Sequence, residues 1–268
     1  PRSTQSRSSA PSDVYKRQAL WWSALAAGLT MGLSLMAMGL FRSRLGPSDE
    51  SHVIASLGYS AGFLAVILAR QQLFTENTLT AVLPVMSKLT LNNVGRLLRL
   101  WGVVLCGNLA GTLLVAWVML RLPIFDTQTD LAFLEIGRKV MENDVSKMLA
   151  KGIVSGWMIA TMVWMIASME SAKIAIIVMI TYLMALGDFT HIVVGSVEVS
   201  YLVYAGEVSW GDFWLLFAGP TLAGNIIGGS FIFALISHAQ IRSERDVIAK
   251  RERDKHKLLE ELRRNRKD

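Results

Sequence analysis

The chain has 268 residues, of which 52% are hydrophobic and 18% are charged, whereas a soluble domain is about a quarter charged. That balance argues against an ordinary soluble protein. One cysteine, Cys106, excludes a disulfide framework and a CxxC metal site, and the net charge of +6 gathers in short loops and the tail, where membrane topology accounts for it without nucleic acid.

Residues 1–18 are polar, rich in Ser and Arg and without the apolar stretch of a signal peptide; they read as a non-native or disordered lead-in. Residues 19–41 then hold no charge, enough for a helix to cross about 30 Å of hydrocarbon. The second apolar segment, 54–69, is broken by Arg70-Gln71-Gln72 and resumes over 73–86. Segments three and four, 100–120 and 152–168, are uninterrupted. Segment five is apolar over 174–186, meets Gly187-Asp188-Phe189-Thr190-His191, and resumes in a short stretch containing Glu198. Segment six covers 213–236. The chain therefore reads as an all-α membrane protein with six transmembrane helices, a channel domain over 19–239, and a basic/acidic cytoplasmic helix over 240–268. That tail is expected to be solvated, with contact to anionic membrane lipid as the second reading.

The two interrupted segments occupy corresponding positions in two halves. Phe74-Thr75-Glu76 matches Phe189-Thr190-His191, and Gly107-Asn108 matches Gly224-Asn225 at a similar distance downstream. Three spans per copy is an odd number, so the second copy is inverted. Together these give a 3+3 inverted repeat with broken second and fifth helices. Lys88, Arg96 and Arg99 in one loop and eleven Lys/Arg from Arg242 onward place both termini in the cytoplasm.

Each break leaves helix ends inside the membrane. Thr75 and Thr190 are N-cap residue types, and two inverted half-helices aim unpaired N–H groups at the midplane. This suits an anion or a polar neutral solute. Arg70 either adds positive charge there, snorkels, or pairs with Glu76. Of four histidines only His191 sits at a break, and its pKa near neutrality suits a proton relay; the alternative is a neutral histidine bonding a freed carbonyl. Asn108 and Asn225 lie among glycines four apart and are expected to brace the broken loops.

With LFTENTL, GNLAG, KGI…VWM, GDFTH and GNIIGG in that order, the chain resembles the formate/nitrite transporter family from about residue 19 to 236. The resemblance implies an aquaporin-like fold, a homopentamer with one pore per protomer in the bacterial inner (plasma) membrane, and passage of small monovalent anions of weak acids such as formate or nitrite. It maps the pore histidine to His191, the Leu-Phe-Thr loop to Leu73, Phe74 and Thr75, apolar constrictions to Leu73, Phe74, Tyr59 and Met184, and an anion-attracting lysine to Lys139. The chain departs from the family pattern at Thr190, where the family has Glu, at Gly195, where it has Asn, and at Arg70-Gln71-Gln72 and Glu76.

The function expected is a channel or proton-coupled facilitator for such anions. Its rivals are an aquaporin-like neutral-solute pore, against which the missing Asn-Pro-Ala pair speaks, and a non-conducting protein closed by Arg70 and Glu76. No nucleotide loop, metal cluster or nucleophile–base pair occurs, so neither an enzyme, a cofactor nor a metal is expected.

Overall fold

The structure, a computed structural model, describes residues 9–46, 48–232, 251 and 253. The chain order is α1 (Ser9–Leu45), α2 (Asp49–Ala55), a 3-10 turn (Ser56–Tyr59), α3 (Ser60–Leu68), α4 (Phe74–Thr80), α5 (Val82–Ser87), α6 (Leu91–Arg121), α7 (Thr127–Met141) and α8 (Val145–Ser168). A second 3-10 turn, Glu170–Ala172, leads into α9 (Lys173–Leu186), α10 (Ile192–Ala205), α11 (Trp210–Asp212) and α12 (Gly219–Ile226), with π-helical turns at Phe213–Ala218 and Ile227–Ile232.

Side chains start several of these helices by satisfying N–H groups that have no partner within the helix. Thr90 accepts from Asn93 N at 3.2 Å, Asp126 from Thr129 N at 2.8 Å and Asp144 from Lys147 N at 2.9 Å. The bonds from Thr129 hold the Asp126 carboxyl below the usual carboxylate range, and those from Ser146 and Lys147 do the same for Asp144. Gly206, at φ 84°, closes α10 in the left-handed conformation that glycine adopts without steric penalty.

Among the described residues, four stretches are long and apolar enough to cross a membrane: Gln18–Leu45, Asp49–Leu68, Leu91–Arg121 and Val145–Ser168. The second differs from its sequence expectation. Its helix starts at Asp49, capped by Ser48, and reaches 20 residues, because polar Asp49, Glu50 and His52 are helical although they are not apolar. Helix α1 is described from Ser9 and so includes part of the lead-in expected over 1–18. The connection between α6 and α8 carries the 15-residue helix α7, with Ala132, Phe133 and Ile136 turned into the core. Residues 1–8 and the tail expected over 240–268, apart from Arg251 and Arg253, lie outside the described residues.

Two helix pairs hold the halves, and they repeat each other. Where α1 crosses α6, a Cβ on Gly28 would overlap the Asn108 carbonyl, and one on Gly111 would overlap that of Leu25. Where α8 crosses α12, Gly156 meets the Asn225 carbonyl and Gly228 that of Ile153 in the same way. Small residues let these backbones touch. Between them lies a core containing Phe63, Leu73, Phe74, Met184, Val194 and Phe217.

Candidate functional site

The two breaks are built alike. After α3 the Arg70 N–H bonds Ile67 O, 3.2 Å, and the Gln71 N–H reaches back five residues to Val66 O, 2.9 Å; after α9 the Asp188 N–H bonds Ala185 O, 3.1 Å, and the Phe189 N–H bonds Met184 O, 2.9 Å. These are the bonds of a Schellman turn, which needs one left-handed residue. Arg70 (φ 53°) and Asp188 (φ 52°) supply it in place of the usual glycine.

An asparagine then fixes where each half-helix restarts. Asn108 Oδ1 accepts from Phe74 N at 2.8 Å while its Nδ2 donates to Ala24 O and Gln72 O. Asn225 Oδ1 accepts from Ile192 N at 2.9 Å while its Nδ2 donates to Gly152 O, Ser155 Oγ and Thr190 O. Each asparagine thus bonds the restart of its half-helix and a carbonyl of a neighbouring helix at once. The same bonds correct the register of the internal match. Phe74 corresponds to Ile192 rather than to Phe189, three residues away, and Leu73 corresponds to His191. Because the helices begin at Phe74 and Ile192, neither threonine is an N-cap: Leu73 precedes α4 without a capping side chain, and His191 caps α10.

At that cap, His191 Nδ1 accepts from Val194 N at 3.3 Å, and Nε2 lies 2.8 Å from Thr75 Oγ1. A backbone N–H can only donate, so Nδ1 carries no proton; the N–H of the neutral ring is on Nε2 and points to the Thr75 oxygen. The bond ties the first turn of α4 to the cap of α10. Thr75 and His191 are both buried, and the Phe63 ring stands edge-on to the imidazole at 5.2 Å. Thr190 faces another way: its hydroxyl donates to Met148 O at 3.0 Å, and its carbonyl accepts from Ser155 Oγ.

A cavity of about 640 Å³, counting its open mouth, leads to His191. Tyr59 and Met184 line it together with His191; Leu73 and Phe74 do not, and the Phe74 ring packs on Trp101 at 5.8 Å. Lys139 also lines it, but its Nζ sits 3.0 Å from Asp188 Oδ2, with His52 Nε2 3.8 Å from Oδ1 of the same carboxylate. Arg70 is exposed, and no Arg70–Glu76 ion pair occurs among the described residues. Outside the spans, Arg138 and Glu207 form a two-bond ion pair that holds the glutamate below its ordinary range.

Sequence reasoning passed over Asp188 as the partner of Lys139, and Ser155 as a ligand of Asn225. It also noted Glu198 only in passing. That residue is seven positions after His191, the spacing that returns to one helix face, and it lines the same cavity.

A model of the formate/nitrite transporter family, described as "Formate/nitrite transporter", matches residues 9–239. The chain belongs to the formate/nitrite transporter family. It is 56% identical over 251 residues to inner membrane protein YfdC of Escherichia coli strain K12, covering 93% of this chain and 81% of that one. It is 24% identical over 208 residues to the formate channel FocA of Haemophilus influenzae, covering 69% and 72%. The fold matches a solved pentameric formate channel with formate bound at a TM-score of 0.74 and 20% identity, over 85% of this chain and 98% of that one. The protein is thus a multi-pass inner-membrane transporter or channel of the formate/nitrite transporter fold, and not an enzyme.

Proposed function

We propose that the chain conducts small monovalent anions of weak acids, of the formate or nitrite type, with His191 relaying protons along the path. The observation that carries this reading is the hydrogen bond between Thr75 and His191 at the end of the cavity, where the first turn of one half-helix meets the cap of the other. Two helix N-termini converging there attract negative charge. The apolar walls beyond penalise a bare ion heavily, so a weak acid crosses most readily in its neutral form. Its proton is exchanged beside His191. The basic groups at the mouth, Lys139 and Arg42, draw the anion in; Arg70 does the same at the other break. Leu73, Phe74, Tyr59 and Met184 form the narrow apolar parts of the path, and Thr190 holds the break that presents His191. The assembly is a homopentamer with both termini in the cytoplasm, as suits a fold shared with a pentameric channel and the bias of Lys and Arg among the loops.

The reading is tested by formate and nitrite flux into proteoliposomes at two external pH values. Wild-type flux is expected to rise as the outside is acidified, and His191→Ala is expected to abolish that dependence. A His191→Ala variant with unchanged flux and pH profile removes the relay.

A further inference from the structure

The cavity holds an ionisable group that neither the hydrogen-bonded frame nor the mouth pairing uses. Glu198 is 6% exposed and lies on the face of α10 that carries His191 and Gly195, and all three line the cavity. Seven residues of helix put its Cα about 10 Å from that of His191. The charged and titratable groups around the cavity are Arg42 from α1, His52 from α2, Tyr59 from the 3-10 turn, Lys139 from α7 and Asp188 from the break, together with His191 itself. Lys139 and His52 are turned to Asp188. Among the described residues no cation pairs with Glu198, and no hydrogen bond reaches its carboxyl. An ionisable side chain within a span that faces a cavity points to a functional site, and here the carboxyl is left to be met from the cavity. Gly195 keeps the way clear: a Cβ there would press on the Phe217 ring and sit 3.8 Å from Glu198 Oε2.

His191 cannot be the stored acid in this arrangement. Its Nδ1 is an acceptor, held by the Val194 N–H, and a neutral imidazole parts with its remaining proton only as imidazolate. The proton for an entering anion has to come from elsewhere in the cavity. We infer that Glu198 is the proton-donating residue of the pathway and selects for carboxylate-like weak acids, supplying the proton that the relay at His191, beside Thr75, passes on. This rests on the reading of the pore as a path for weak acids. The step balances: the O–H bond of the Glu198 carboxyl breaks, an O–H bond forms on the substrate carboxylate, and Glu198 is left ionised until hydronium from the outer water reprotonates it. A carboxyl and a carboxylate have similar intrinsic proton affinities, with pKa values near 4, so the exchange needs little net energy. The anion of a strong acid, such as nitrate, takes no proton from Glu198, stays charged, and is turned back by the apolar walls beyond.

The test compares wild type, Glu198→Gln and Glu198→Asp in proteoliposomes loaded with a pH-sensitive dye, with formate, acetate and nitrate as probes. Glutamine keeps the shape and removes the proton; aspartate keeps the proton on a shorter arm. Formate and acetate flux is expected to fall at least about tenfold in Glu198→Gln and to lose its pH dependence, while Glu198→Asp keeps both in part. A Glu198→Gln protein with formate flux and pH profile equal to wild type overturns the inference alone, as does one with raised formate and nitrate flux, which makes Glu198 a charge barrier only. Wild-type protein without flux for any weak acid overturns the channel reading itself, and the inference falls with it. Should Glu198→Gln not fold, a Glu198→Asp protein with a pH profile identical to wild type overturns it, because moving the carboxyl along the cavity has to shift the profile.

Discussion

Thr75 Oγ1 and His191 Nε2 lie 2.8 Å apart although 116 residues separate them in the chain. The bond joins the first turn of α4 to the N-cap of α10, so the orientation of the imidazole depends on a residue from the other half of the molecule. Thr75→Ser keeps the hydroxyl and is expected to conduct within about threefold of wild type. Thr75→Val keeps the shape, removes the acceptor and is expected to lower weak-acid flux by about tenfold or more, less than the about 10²–10⁴-fold that losing a proton-transfer group outright costs. Equal flux in the two variants disconnects the threonine from conduction.

The asparagines make a prediction about stability rather than flux. Truncating Asn108 to Ala leaves the Phe74 N–H without its partner and takes a bond from the Ala24 and Gln72 carbonyls; Asn225→Ala leaves the Ile192 N–H without its partner and takes a bond from the Gly152 and Thr190 carbonyls, which keep Ser155 Oγ. Each buried polar group left unpaired costs about 1–3 kcal/mol. Both variants are expected to unfold well below wild type in detergent, and by similar amounts, because the two asparagines bond equivalent groups. A wild-type midpoint in either one removes that asparagine from its bracing role.

Glycines separate into two kinds by what surrounds them. Gly28→Ala and Gly228→Ala force apart backbones already in contact at the Asn108 and Ile153 carbonyls and are expected to yield little folded protein. Gly102, within α6, has nothing within 4 Å of its added Cβ; Gly102→Ala is expected to stabilise by about 0.5–1 kcal/mol through helix propensity. Folded yield by size-exclusion chromatography and thermal unfolding distinguish the two cases.

Acid sensitivity is expected where α7 and α8 begin. The folded Asp126 and Asp144 carboxyls sit below their ordinary range because they accept backbone and hydroxyl hydrogen bonds. A group lowered on folding contributes fully above its unfolded pKa of about 4 and loses that contribution as pH falls through the lowered folded value. Asparagine caps a helix as well as aspartate does but does not titrate in this range. The Asp126→Asn/Asp144→Asn double variant should therefore lose less of its unfolding temperature than wild type between about pH 6 and about pH 3. An identical acid loss in both proteins places the acid-sensitive groups elsewhere.

Much of this architecture was legible because a membrane leaves few options. Uncharged stretches mark spans, odd-numbered repeats must invert, and a break in a spanning helix needs polar groups to satisfy its backbone. That logic brought Asn108, Asn225 and His191 forward. It failed on register: Phe-Thr recurs at both breaks, and similarity of letters outweighed the fact that an N–H, not a side chain, is what the asparagines hold. It also missed α7 and the outer turn of α2, whose polar residues give no hydropathy signal, and the tie between Lys139 and Asp188, which no spacing rule connects. Glu198 was readable as a lone acid in an apolar helix, two turns from a histidine on the same face. What the letters lacked was the cavity that the two share.

The matched turns at Arg70 and Asp188 carry a further consequence. Their shape is written almost wholly in main-chain hydrogen bonds and in the two asparagines, so the residue at the left-handed position is free to vary in charge. One copy bears a cation and the other an anion. The scaffold is thus electrically polar although its two turns share one backbone shape, and the charge at either turn can change while the frame between them stays as it was.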